Sequence, residues 1–220
     1  MSASSSPSAS ELPASPAAGA APGPLGFFAS RRSVRDLLPG PVEPGILAQL
    51  LEIVRTAPSA HGAQPWRVVV IETPELRDRL AQGLAAGLDR YLAAVGEPAG
   101  RVQRQVAALR RRVQSAPLAL LVCVAEEDLP PPDPRRDGAG EHALARQSAA
   151  LAAGWLLLGA HSLGLGACWF SAPIYAPQVC REALRLPPSW DPQALVLIGR
   201  GAPGGPRRPP RDPAEIISYR

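Results

Sequence analysis

The 220-residue chain contains no lysine and no asparagine. All 23 basic residues are therefore arginine, and the missing amine excludes whole reaction classes. No side chain can form a Schiff base, anchor pyridoxal phosphate or complete a Walker P-loop. Arginine offers instead a permanently charged, planar fork of donors that suits phosphate and carboxylate groups. Cysteine is scarce as well. Cys123, Cys168 and Cys180 make an odd count, have no Cys-x-x-Cys spacing and lie among apolar residues, a pattern of buried, reduced thiols in a cytosolic protein. His61, His142 and His161 have no ligand-like spacing to one another or to a cysteine, which sets a metal site aside. Charge of one sign is lacking too. The formal balance is only +4, with 19 acids among the arginines, which describes a solvated surface better than a nucleic-acid footprint.

Long apolar runs are also missing. The uninterrupted stretch from Ala149 to Ala160, closed off by Arg146 and His161, is well short of the roughly 20 residues that span a bilayer. It predicts a helix buried in the core or at a subunit interface, not a membrane span. The start of the chain has neither the basic residues nor the apolar run of a secretory signal, so the expected location is the cytoplasm. Residues 1–24 are rich in Ser, Ala, Pro and Gly, with a single charge at Glu11. Such a segment cannot offset its own ordering entropy and is expected to be a disordered tail.

From Leu25 the chain reads as one domain, residues 25–220, with one core. A short helix is expected over 25–31 and a second after Pro44, where Ile46, Leu47, Leu50, Leu51 and Val54 share a face. Val68 to Ile71 predicts a buried strand. Helices follow over 74–92 and 100–114, then a strand over 118–124. Pro130 to Gly140 is a loop suited to a flap. A helix over 141–162, a strand after Gly166, a short helix over 177–184 and a strand over 194–198 complete the order, with no internal repeat. Alternating helices and short apolar strands predict an α/β or α+β layered domain with a helix-covered sheet.

Three constellations can carry chemistry. In Arg31, Arg32, Ser33 and Arg35, a helical turn would place Arg31 and Arg35 on one face, and two forks on one side can grip a phosphate. The plain alternative is a solvated basic turn. "RRPPRD" holds Arg207, Arg208 and Arg211 along a stiff Pro-Pro segment that can reach another subunit, or is an ordinary polar tail. In the turn Pro58-Ser59-Ala60-His61-Gly62, small side chains let a flat ligand approach the backbone. His61 is either a donor to that ligand or a helix-end histidine bonded to a carbonyl, and Trp66 reads as core. Gly164-Leu165-Gly166 lacks the third glycine and the preceding strand of a dinucleotide fingerprint. No Gly-x-Ser-x-Gly elbow is present.

Taken in order, "RRSVR" (31–35), "APSAHGAQPWRVVVIE" (57–72), "SAPLALLVCV" (115–124), "LGLGACWFS" (163–171) and "LPPSWDPQALVLIG" (186–199) resemble the nitroreductase family of FMN-dependent oxidoreductases. Within it, Trp190-Asp191-Pro192 and the late "RRPPRD" are most similar to the C-terminal flavin domain of bacterial coenzyme F420 gamma-glutamyl ligases, here without the ligase domain. The resemblance implies an α+β, three-layer fold with a central, mostly antiparallel sheet covered by helices, in an interlocked homodimer with FMN at the subunit interface. It implies that Arg31 and Ser33 hold the phosphate and ribityl chain, that Arg32 and Val34 line the same segment, and that Arg35 lies near flavin N1 and C2=O. It further implies that Ser59 meets the isoalloxazine through its backbone, that Ser171 lies near N5 and O4, and that Arg208 clamps the phosphate from the other subunit. His61 and Tyr91 are the expected substrate contacts. Many family members carry asparagine where this chain has Gly62, and His61 is the nearest replacement.

The implied chemistry is the cofactor's, with no catalytic side chain required. A guanidinium at Arg35 would favour the negative charge that reduction places at N1 and C2=O. The expected acceptor is the dehydro precursor of coenzyme F420, a flat deazaflavin, with its negative groups received by the arginines over 101–112 or by the flap. The alternatives are a general NAD(P)H-dependent nitro- or quinone reductase and, from another class, a non-catalytic Arg-rich module that binds nucleic acid or a partner.

Overall fold

The computed structural model describes residues 23–130, 138–201 and 209–219. The expected disordered tail (apart from its last two residues), most of the 130–140 flap, and Arg207 and Arg208 lie outside them. The chain divides into two units, Met1–Arg32 with Gly205–Arg220 and Ser33–Gly204. In the first, α1 (Pro24–Ser30) begins with proline in its first turn and carries an edge-to-face Phe27–Phe28 pair at 5.3 Å. The short α8 (Pro213–Ile216) is capped by Asp212, which accepts from the Ala214 amide at 2.8 Å.

The second unit holds α2 (Ile46–Arg55), β1 (Trp66–Val70), α3 (Pro74–Ala94), α4 (Ala99–Ser115), β2 (Leu118–Ala125), α5 (Gly138–Ser162), β3 (Gly166–Phe170), α6 (Ala172–Tyr175), α7 (Pro177–Leu184) and β4 (Trp190–Gly199). The strands form one sheet in the order β1-β2-β4-β3, every pair antiparallel. Strand periodicity divides the core. Leu120, Val122, Val124, Ala194, Val196 and Ile198 face α2 and α5, whereas Ala119, Leu121, Cys123, Leu195 and Leu197 join α3, α4 and α7. One expected core is thus two apolar clusters, one on each face of the central strands, which makes the three layers. Each fully buried Leu or Ile contributes about 1.5–3 kcal/mol relative to exposure.

Local chemistry sets the boundaries. Thr73 accepts from the Leu76 amide at 3.3 Å and Pro74 opens α3, an N-cap followed by the residue best suited to a first helical position. β4 starts at Trp190, four residues before the expected strand, because its register against β2 slips between Val122 and Cys123. Gln193 is the extra residue there, and the bulge tolerates Pro192, which has no amide to give. α5 is lined by Ala145, Ser148, Ala149, Ala152, Ala153, Leu156, Gly159 and Ala160. A Cβ on Gly159 would meet Ile53 at 3.0 Å, so small residues let α2 approach closely. No helix among the described residues is long and apolar enough to cross a membrane.

Candidate active site

Residues 33–38 are tied to the sheet at two points, at β3 before a bend at Asp36 and just past the end of β4 after it. The Val34 amide donates to the Ala167 carbonyl at 2.9 Å, Ser33 bridges to Ala167 in parallel, and the Leu38 amide donates to the Arg200 carbonyl at 2.8 Å. This corrects the expectation of Arg31 and Arg35 on one helical face. α1 ends at Ser30, Arg31 is already extended at φ −61°, ψ 132°, and the pairing with β3 holds the next residues extended. Two-residue alternation now governs the side chains. Val34 turns into the fold, 2.9 Å from where a Cβ on Gly166 would lie and 3.0 Å from one on Gly201. Its side chain serves packing, and both glycines are required by its approach. Ser33 and Arg35 are exposed, and Arg35 has no ion-pair partner among the described residues. Arg112 on α4 donates to Asp36 at 3.3 Å and fastens the segment to that helix.

The turn before β1 is held from within. The Ser59 hydroxyl accepts from the Gln64 amide at 3.0 Å, the Gln64 side chain donates to the Arg55 carbonyl at 2.8 Å, and the Ala60 amide donates to the Ser148 hydroxyl on α5 at 3.1 Å. His61, Gly62 and Gln64 have φ of 54°, 66° and 48°, left-handed values that cost a side-chain-bearing residue about 1 kcal/mol or more. His61 is exposed and beyond the 3₁₀ turn makes no carbonyl bond with described residues. It lines a cleft of ≈ 320 Å³ with Ala60, Pro65, Asp128, Leu129 and Glu141. Asp128 is engaged there, since Arg67 donates to both of its oxygens and lies 6.0 Å over the Trp190 ring. The Arg67 guanidinium is held above its ordinary pKa, chiefly by that hydrogen bond. Trp66 is buried in the α5-side core.

β3 and β1 are the two edge strands. Three interstrand steps, roughly 14 Å at the usual spacing, separate the edge that carries Ser33–Arg35 from the edge that the Ser59 turn leads into. One chain therefore does not bring these two groups together.

Ser171, just after β3, lines a second cleft of ≈ 380 Å³ with Leu88, Arg104, Ala108, Arg112, Phe170 and Tyr175 among its walls. Tyr91 stacks on Tyr175 with ring centroids 4.2 Å apart, and the adjacent Tyr175 phenol raises the Tyr91 pKa. The sequence pointed to Tyr91 and Ser171, and to Arg104 among the arginines over 101–112, but not to Tyr175. Arg31 and Arg32 follow α1 in the other unit. Among the described residues no group of three or more His, Cys, Asp or Glu is placed to hold a metal ion.

The Nitroreductase family model matches residues 28–200. The chain belongs to this family. It is 32% identical over 181 residues to a 5,6-dimethylbenzimidazole synthase of Rhodobacter capsulatus, covering 77% of this chain and 79% of that protein. It is 28% identical to an NADH dehydrogenase of Thermus thermophilus, over 80% and 85% of the two chains. A nitroreductase from Desulfovibrio desulfuricans, solved in complex with FMN, superposes with a TM-score of 0.67 at 25% identity, over 91% of this chain and 98% of that one. The fold is that of the nitroreductases and the protein is an oxidoreductase of this family. FMN is the cofactor that the family and that complex indicate. The donors present fit it. An exposed hydroxyl and a guanidinium without an ion-pair partner among the described residues, on one side of a β-paired segment, suit an anionic, acceptor-rich nucleotide.

Proposed function

We propose that the protein is a homodimeric FMN-dependent reductase that passes a hydride to a flat conjugated acceptor, the dehydro precursor of coenzyme F420. The carrying observation is the side of the 33–35 segment left by Val34, where Ser33 and Arg35 are exposed together. Arg31, Arg32 and Ser33 hold the phosphate and ribityl chain, with Val34 fixing the segment. Arg35 is the cation beside the flavin pyrimidine edge, Ser171 sits at its other edge, and Arg208 closes over the phosphate. FMN, when bound, supplies the hydride chemistry, while the chain orients it and stabilises negative charge on it.

The sheet supports a dimer. With Ser59 and Arg35 attached to opposite edges, a site that uses both needs Ser59 of the partner subunit. α5 offers the seam, because Leu151 is 43% exposed and Gly154, three residues on, has open space around it. An exposed apolar helix face with a small residue suits close approach of a second copy. His61 and Tyr91 then border the acceptor. Buried cysteines accord with the cytoplasm, and the domain is taken as residues 25–220.

The deazaflavin acceptor rests on the Trp190-Asp191-Pro192 region and "RRPPRD". A second reading, formation of 5,6-dimethylbenzimidazole, is favoured by the identity to the Rhodobacter capsulatus synthase. A third, general nitro- or quinone reduction with NAD(P)H, draws on the Thermus thermophilus relative. An absorption spectrum and sedimentation equilibrium of the purified chain test the flavin and the dimer, and a colourless monomer that takes up no FMN ends the proposal. With yellow protein in hand, parallel assays decide among the readings. Reduction of dehydro-F420-0 is expected. Turnover of nitroaromatics alone, or appearance of 5,6-dimethylbenzimidazole, replaces that assignment with one of the others.

A further inference from the structure

The second cleft has a composition that neither the family match nor the relatives explain. Its wall on α4 is a single helical stripe, Arg104, Ala108 and Arg112, spaced by four residues. Such residues stand one above another on one face, about 6 Å apart per step. The small Ala108 therefore leaves a gap between two guanidinium-bearing side chains. Leu88, Leu109, Phe170 and Ala172 form an apolar floor, and Tyr175, extended by its stack on Tyr91, forms one end. Gln105 adds a neutral donor.

The two arginines are not equivalent. Arg112 is engaged with Asp36 through a 3.3 Å pair whose acid is 80% exposed, an interaction that yields easily to a better anion. Arg104 has no acidic partner among the described residues, and its Nη1 lies beside the helix surface at Gly100, 3.7 Å from where a Cβ there would be. Among the described residues no carboxylate lines the cleft. An apolar, aromatic-walled slot with cations along one side and no anion within it selects for a particular ligand shape and charge.

We infer that this cleft binds a flat, conjugated molecule bearing carboxylate groups, with its ring against Phe170 and Tyr175 and its acids on Arg104 and Arg112. That the ligand is the hydride acceptor rests on the proposed flavin site, which shares Ser171 with this cleft. The binding itself does not. Tyr175 continues the slot into a two-ring platform and Arg104 sets the preference for anions.

The test uses naphthalene-2,6-dicarboxylate as a probe, titrated calorimetrically into the full chain with and without added FMN. Wild-type protein is expected to bind it, with affinity falling as salt rises and with no comparable affinity for uncharged naphthalene. Arg104→Gln should weaken binding about tenfold, the worth of one charge-assisted hydrogen-bonding partner. Arg110→Gln, six residues along α4 and outside the stripe, removes the same charge and should change it less than about twofold. Circular dichroism checks that both variants fold. Equal losses in the two variants, or no binding by a protein that does take up FMN, would overturn the assignment while leaving the flavin reading intact. Arg104-dependent binding to a protein that refuses FMN would support the cleft and remove the flavin reading instead.

Discussion

The Ala60 amide donates to the Ser148 hydroxyl at 3.1 Å, joining two residues 88 positions apart in the chain. Ser148, buried on α5, in turn donates to the Leu144 carbonyl at 2.8 Å. The turn that carries Ser59 and His61 is thus fixed to the longest helix by a hydroxyl that serves both as acceptor and donor.

Ser148→Ala should leave the Ala60 amide without its partner. The expected cost is about 1–2 kcal/mol, read as a lower urea midpoint with unchanged slope. FMN affinity should fall as well, because the turn loses its anchor. Unaltered stability and unaltered flavin affinity would show that the anchor is dispensable.

Gly83 on α3 packs so closely on α7 that an added Cβ would lie 2.1 Å from Val179 Cγ1. Gly83→Ala gains helix propensity but must push the two helices apart, and overpacking dominates at about 1–3 kcal/mol. Thermal melts should show a net loss of stability. Recovery in the double variant with Val179→Ala would trace the loss to that contact.

Arg35→Gln removes the proposed cation beside the flavin. The reduced, negatively charged form loses more than the oxidised form does, so the midpoint potential should become more negative. A loss of about 1.4 kcal/mol corresponds to about 30 mV for a two-electron couple. Redox titration against a reference dye measures it, and an unchanged potential would place the side chain elsewhere.

Cys123 and Cys180 are buried thiols whose pKa values burial pushes up to about 12. Unfolded thiols titrate near 8.5, so between that pH and about 12 the folded state holds protons that the unfolded chain has released. The stabilisation is complete below the unfolded pKa and is lost as pH rises toward the folded one. Urea midpoints should fall across that alkaline window, less steeply in Cys123→Ala/Cys180→Ala. A thiol-directed reagent at pH 8 should label these positions only after denaturant is added.

Most of the element order was legible because apolar periodicity reports local geometry directly. β2 and β3 begin within a residue or so of the expected points, and α3, α4, α5 and α7 within about three. The start of β4 was not legible, since Pro192 looks like a strand breaker until its bulge against Cys123 is known. The path of Arg31–Arg35 was misread for a related reason. An isolated basic run continues a preceding helix by propensity, and only the bond from Val34 to Ala167, 133 residues later, makes it extended. Motif order pointed to Ser59 and Ser171. The stacking of Tyr175 on Tyr91, and the choice of Arg104 and Arg112 from the arginines over 101–112 as neighbours of Ser171, depend on packing between α4, α6 and β3, which no local pattern announces.

The placement of Ser33–Arg35 on the β3 edge and of the Ser59 turn on the approach to β1 has a genetic consequence for the proposed assembly. A chain carrying Arg35→Gln and a chain carrying Gly62→Val, a β-branched residue forced into φ +66°, would each be impaired alone. Co-expressed, the two alleles should complement. Every mixed pair gathers both defects into one catalytic centre and leaves the other wild type, whereas an enzyme with self-contained centres would show no rescue.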